Sequence, residues 1–189
     1  MGILHPMEQL PGALTRATGL VAVALIAAAL VWGFAFSAGE TGRRLRPAWW
    51  LDLHNWLGGA ALVFTIAHVV TALAVSHGPR VLAALIPFAA AHDRVAFGIG
   101  AIATYLLAAT VFTTWPRRIH DRRLWRVIHL SSVAAGLFAV IHALQLGTDA
   151  AAIAFQTGLV LLLAPLTYTM GVRIVGAATN RRRARAVHA

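Results

Sequence analysis

Residues 49–74 read Trp-Trp-Leu-Asp-Leu-His-Asn-Trp-Leu-Gly-Gly-Ala-Ala-Leu-Val-Phe-Thr-Ile-Ala-His-Val-Val-Thr-Ala-Leu-Ala, an apolar run that carries two imidazoles, His54 and His68, fourteen positions apart. A run of this length can cross the hydrocarbon of a bilayer as one helix. Ionisable side chains in that setting are expensive, and those that persist usually serve a function. A second apolar stretch, about 124–147, repeats the pattern with His129 and His142, thirteen apart, and no other histidine falls inside an apolar span. One membrane histidine is often no more than a hydrogen-bonding group between helices. Four, set two and two on two spans, point beyond that role.

The rest of the composition agrees with a membrane protein. Of 189 residues 59% are hydrophobic and 12% charged, and mean hydropathy is +0.74. A soluble domain of this size has no means of hiding so much apolar surface. Cysteine is absent, which excludes disulfides, iron–sulfur clusters, thiolate haem ligation and thiol chemistry. Histidine is the strong metal ligand that remains. The net charge of +10 comes from sixteen arginines with no lysine. They lie between and after the apolar spans, where they set topology and meet anionic headgroups. Nucleic acid is not an expected partner.

The expected fold is all-α and integral to the membrane, a haem-binding bundle of five, at most six, transmembrane helices. Residues 1–15, with Pro6, Pro11 and Gly12, read as a flexible lead, 16–175 as the membrane domain and 176–189 as a basic cytoplasmic tail. The first span covers about Leu20–Phe36. It is too long for the apolar core of a typical signal peptide, and Arg43, Arg44 and Arg46 follow it directly, which favours a retained helix. The second span is the opening stretch. Residues 81–91, broken by Pro87, are too short to span and read as re-entrant or interfacial. The third span covers about Val95–Trp115. Its Gly98-Ile99-Gly100 lacks the context of a nucleotide fingerprint and suits close helix packing. The fourth span carries the second histidine pair, and the fifth runs about Ala151–Val172.

Five spans put the loops alternately on two sides. One side, with residues 40–48, 116–126 and the C-terminus, collects thirteen arginines against three (Arg16, Arg80, Arg94) on the other. The positive-inside rule then predicts a multi-pass plasma-membrane protein with its N-terminus outside and its C-terminus in the cytoplasm. The second and fourth spans run parallel, with His54 and His129 near the inner face and His68 and His142 nearer the outer one.

Fourteen residues of helix separate the two depths by roughly 20 Å. Each depth offers two imidazoles facing across a bundle, the arrangement that bis-histidine haem ligation needs. Fourteen steps of about 100° return His68 to within roughly 40° of His54, with the small residues Gly58, Ala61 and Thr65 on the same face. Thirteen steps leave His142 roughly 140° from His129. That offset calls for a distorted fourth span, around Gly136, or for two haems rotated relative to each other. Zinc fits poorly, because its ligands cluster around one ion and these pairs lie far apart.

The spacing His54-x13-His68 and His129-x12-His142, with Ile86-Pro87-Phe88, Trp125-Arg126-Val127-Ile128-His129 and Gly147-Thr148-Asp149, resembles the ferric reductase-like transmembrane domain. That family includes the membrane parts of ferric reductases and NADPH oxidases and the haem subunit of a periplasmic methionine-sulfoxide reductase. The resemblance covers most of residues 15–175. It implies two b haems, the inner held by His54 and His129 and the outer by His68 and His142. It also implies passage of electrons across the bilayer to an extracytoplasmic acceptor, ferric iron or a partner redox protein. Two departures are expected to matter: no flavin or nicotinamide domain is read after the basic tail, and five spans are read where the family often has six. The donor is therefore expected to be a separate cytoplasmic flavoprotein or a membrane quinol. Ferric reductase activity does not follow from the fold, so enzyme status stays open.

Arg126, one turn before His129, and Arg43, Arg44 or Arg46 are candidates to pair with inner-haem propionates, and Arg80 or Arg94 with outer ones; each serves equally as a topology anchor. His77 and His92 are candidates for acceptor contact, and Phe64 and Phe138 for the space between haems. Two other readings stand beside this one: a haem-binding subunit or sensor without transmembrane transfer, and a haem-free transporter.

Overall fold

A computed structural model describes residues 6–38, 47–75, 85–114 and 121–187. Five helices account for nearly all of them: α1 (Pro6–Ala38), α2 (Pro47–Val75), α3 (Arg94–Thr114), α4 (Arg122–Leu146) and α5 (Ile153–Val187). Each holds an apolar stretch long enough to cross a membrane, from 21 residues in α3 to 28 in α1. The chain is thus a helical, multi-pass membrane protein by length and composition.

Burial is arranged for lipid outside. Large apolar side chains such as Val63, Val70, Leu137, Val160 and Leu161 are more than half exposed, whereas the core is made of small ones, among them Ala22, Ala27, Ala61, Ala96, Ala101 and Ala135. Hydrocarbon around the protein removes the hydrophobic drive to bury large side chains, and close backbone approach supplies the packing. Gly136 is one such point: a Cβ there would lie 2.7 Å from Leu30 Cδ1.

The first four helices form a square. α1 packs on α2, α2 on α3, α3 on α4, and α4 returns to α1, while α5 lies on the outside of α1. Among the described residues no Cα of α2 comes within 8 Å of one in α4. The two histidine-bearing helices are therefore diagonal partners, with side chains rather than backbones meeting between them.

Several sequence expectations change in detail. The helix begins at Pro6, so residues 6–15 are helical and not a flexible lead. Proline is tolerated at the first helical position, where its missing N–H has no partner anyway. Pro11 lies inside α1, where its missing N–H withdraws the i−4 hydrogen bond to residue 7; Thr15 donates its hydroxyl to the Pro11 carbonyl at 2.9 Å. At the other end α5 continues past Val172 to Val187. The basic tail from 176 to 187 is thus an extension of the fifth helix. Arg173 donates to Ser37 Oγ and lies over the Phe34 ring, which ties α5 to the end of α1.

The described part of the short apolar segment, residues 85–93, is a turn packed on the start of α3. Ala89 N–H donates to Ile86 at 3.2 Å, with Pro87 and then Phe88 at the corner. Phe88 has φ 66°, a conformation that a type II turn requires and a bulky residue rarely adopts. Its ring occupies the space left by Gly98, where a Cβ would lie 2.4 Å from Phe88 Cδ1. Tyr105 donates its hydroxyl to the Leu85 carbonyl, a second tie between this turn and α3.

Candidate functional site

The four span histidines meet in two pairs. His54 and His129 have ring centroids 5.8 Å apart at an interplanar angle of 62°, and His68 and His142 lie 6.1 Å apart at 86°. α4 is continuous through Gly136. The offset expected from its thirteen-residue spacing therefore involves no break in the helix, and both rings still reach their partners across the square.

Three of the four rings are aimed by Nδ1. Nδ1 of His54 donates to the Ala29 carbonyl at 3.1 Å, Nδ1 of His68 to that of Thr15 at 2.9 Å, and Nδ1 of His142 to that of Ala96 at 2.9 Å. A carbonyl only accepts, so these three Nδ1 atoms carry the proton and each Nε2 is left with its lone pair. Imidazoles that bind metals are commonly held in this way.

A glycine makes each approach possible. The acceptor carbonyls belong to Thr15, Ala29 and Ala96, and four residues on from each stands Gly19, Gly33 or Gly100. A Cβ at Gly19 would lie 2.8 Å from His68 Nδ1, at Gly33 3.0 Å from His54 Cε1, and at Gly100 2.5 Å from His142 Nδ1. On a helix the side chain at i+4 overhangs the carbonyl at i. Only a residue without a side chain leaves that carbonyl open to an imidazole from the next helix.

The fourth ring differs. Thr114 stands where the pattern has glycine, four residues after Thr110. Its hydroxyl donates to the Thr110 carbonyl at 2.7 Å and meets His129 Nδ1 at a long 3.5 Å. Trp125, one turn before His129, stacks on the imidazole at 4.8 Å and 16°. The hairpins α1–α2 and α3–α4 are otherwise equivalent. In both, the corresponding positions are fourteen residues apart (15 and 29; 96 and 110), and the first three offer their carbonyls to a histidine of the following helix.

Between the two levels lies an apolar plug of Ile26, Ala61, Leu62, Leu107 and Ala135. Of the aromatic candidates for this space, Phe64 is 37% exposed and turns outward, while Phe138 is only partly buried. Thr65 and Ala61 are buried on the histidine face of α2, as their spacing predicts.

The donor set suits an iron porphyrin better than a bare ion. With metal–imidazole bonds of about 2.05 Å and roughly 1.15 Å from nitrogen to ring centre, two imidazoles in line across one metal place their centroids about 6.4 Å apart. The observed 5.8 and 6.1 Å come within about half an ångström of that. Among the described residues no three of His, Cys, Asp and Glu gather as a metal site. Each level therefore offers two axial donors and nothing for a tetrahedral shell. Around the first pair a cavity of about 40 Å³ is lined by His54, Asn55, Gly58, Thr110, Val111, Thr114 and His129. A Cβ built at Gly58 would meet nothing within 4 Å. The centroid spacing is compatible with two imidazoles on one metal, while the cavity beside the first pair is smaller than a macrocycle. One turn before His54, the Trp50 indole N–H is buried with no acceptor among the described residues; a haem carboxylate is a group it could take. Trp50 stacks on Trp32 at 4.1 Å, and Trp32 donates to the Trp50 carbonyl at 3.1 Å.

The remaining candidates stand apart from the pairs. Arg126 and Arg94 are exposed, and Arg94 reaches back to the Ala90 carbonyl at 3.4 Å. His92 is exposed. Arg16 pairs with Asp149 at 3.7 Å. Arg43, Arg44, Arg46, His77 and Arg80 lie outside the described residues. Compared with family models, characterised proteins and solved structures, the chain matches none of them.

Proposed function

We propose that this protein is a dihaem membrane cytochrome b that carries electrons between the two faces of a bilayer. The observation that carries the reading is the pairing of four imidazoles at two depths, three of them with Nδ1 committed to a carbonyl. His54 and His129 would hold the inner haem, and His68 and His142 the outer. Haem iron supplies a one-electron ferric/ferrous couple at each level.

The chain's own residues do the rest. Thr15, Ala29 and Ala96 fix ring tautomer and direction. The Ile26–Ala61–Leu62–Leu107–Ala135 plug keeps water and ions from the space between levels, so that a charge crossing there is an electron. The arginine asymmetry assigns the His54/His129 level to the cytoplasmic side. A separate flavoprotein or a quinol supplies electrons there, and an extracytoplasmic acceptor, ferric iron or a redox protein, takes them.

Vesicles test the transfer. With haem-loaded protein in the bilayer, ferricyanide trapped inside and an impermeant reductant outside, ferricyanide should bleach at a rate proportional to protein. Haem that reduces while trapped ferricyanide persists would refute transmembrane transfer and leave a haem-binding subunit or sensor.

A further inference from the structure

α4 and α5 follow each other in the chain, joined only by residues 147–152, yet among the described residues no Cα of one comes within 8 Å of the other. Both lean on α1 instead, and α5 is the least buried of the five spans. The wedge left between them is a cavity of about 460 Å³. Leu20 and Val23 of α1 form its floor, Val140 and Ala143 of α4 one wall, and Gly158 and Leu162 of α5 the other. That volume lies in the range of sites that hold small molecules.

Among the described residues Asp149 is the one polar side chain in the lining, and it sits at the loop end. Hydrogen-bonded turns hold that loop: the Gly147 N–H donates to Ala143 at 2.9 Å, that of Ala150 to Gly147 at 3.1 Å and that of Ala152 to Asp149 at 2.9 Å. Arg16, one turn before Leu20 on the same stripe of α1, approaches Asp149 at 3.7 Å. Both side chains are about half exposed, so the pair is weak and each partner keeps hydrogen-bonding capacity to spare.

We propose that this wedge binds one phosphatidylethanolamine molecule from the leaflet in which α1 begins. One acyl chain lies between α4 and α5, the phosphate meets Arg16 and the ammonium meets Asp149. An empty wedge of this size would cost its lining atoms their contacts, and water would find one carboxylate and no other polar side chain. A flexible hydrocarbon chain fills it without demanding a fixed shape. Tail burial gives little selectivity, since the surrounding lipid is as apolar as the wedge. Selectivity comes from the mouth, where a cation and an anion stand side by side. A phosphate beside a primary ammonium matches that pair charge for charge, with N–H groups to donate to the carboxylate. Choline has no N–H to give, and phosphatidylglycerol has no cation. The site is separate from the histidine pairs, and the proposal does not depend on the function given above.

The test uses the full chain, stripped of lipid in detergent and placed in nanodiscs of equal parts phosphatidylethanolamine, phosphatidylcholine and phosphatidylglycerol with identical acyl chains. Native mass spectrometry of the released protein then counts what stays bound. One phosphatidylethanolamine should remain per chain, in roughly two- to fivefold excess over either competitor, the discrimination that exposed charge pairs supply. Asp149→Asn should abolish that preference, and Arg16→Gln should weaken retention of all three lipids. Gly158→Leu, entering open space in the wedge, should remove the bound lipid. Gly171→Leu, on the same helix and equally open but outside the wedge, should retain it as wild type does. Circular dichroism checks that each variant keeps its helices; should Gly158→Leu not fold, Ala143→Leu fills the wedge from the α4 side. No retained lipid, equal retention of the three, or phosphatidylethanolamine that the filled wedge still holds would overturn the proposal. So would its displacement by an isoprenoid quinone added in equal amount.

Discussion

Gly100→Ala is the sharpest single-atom perturbation of the proposed site. The added Cβ would lie 2.5 Å from His142 Nδ1, 2.7 Å from its Cε1 and 3.1 Å from its Cγ. Ordinary carbon contacts begin near 3.5 Å, so the ring must retreat by roughly 1 Å. A retreat of that size stretches the 2.9 Å bond to the Ala96 carbonyl past the useful limit of about 3.5 Å. Leaving a largely buried N–H unpaired costs about 1–3 kcal/mol. Losing the group that orients a metal-bound imidazole typically weakens metal binding ten- to hundredfold. The two ranges agree, because about 1.4 kcal/mol is tenfold. Haem titration of the apoprotein, followed in the Soret band, should show one site weakened by roughly ten- to hundredfold and the other unchanged. Gly171→Ala, where a Cβ meets nothing within 4 Å, should titrate as wild type. If Gly100→Ala binds two haems with unchanged affinity, the claim that glycine admits the ligand is wrong.

Other substitutions probe the remaining parts. Gly19→Ala and Gly33→Ala, with closest approaches of 2.8 and 3.0 Å, should weaken the His68 and His54 levels respectively, each less than Gly100→Ala does, in the same titration. Gly58→Leu enters open space at the His54/His129 level; it should leave the apoprotein's thermal stability near wild type but cut haem loading to one per chain. Asp121 caps α4 by accepting from Arg123 N–H at 2.7 Å and Leu124 N–H at 3.4 Å, so Asp121→Ala should cost about 1 kcal/mol in a denaturation assay. The exposed Arg16–Asp149 pair should be worth less than about 1 kcal/mol by double-mutant cycle.

Legibility in the sequence differed by element. Nearly equal histidine spacings on two parallel spans, with the family resemblance, were enough to pair 54 with 129 and 68 with 142, although the thirteen-residue interval on α4 was read as turning His142 roughly 140° from His129. The supports on α1 and α3 were not foreseen. Backbone carbonyls carry no sequence signal, and Gly98 and Gly100 were read only as packing residues. Gly98 receives Phe88, whereas Gly100 receives His142. The clue was present in the fourteen-residue interval from Gly19 to Gly33, the same as from His54 to His68. Pro6 and Pro11 suggested an irregular lead, yet both fall within α1: Pro6 in the first turn, where proline is tolerated, and Pro11 where a threonine hydroxyl engages its carbonyl. The basic tail read as a separate segment because charge marks where hydrocarbon ends, which is a different boundary from where a helix ends.

The central claim is that two imidazole pairs hold two haems, and counting haem per chain in purified, haem-loaded wild type tests it most directly. A reduced-minus-oxidised spectrum with a b-type signature and two haems per chain, falling to one in His68→Leu, is the predicted result. No Soret absorbance, or a count that His68→Leu leaves unchanged, would contradict it.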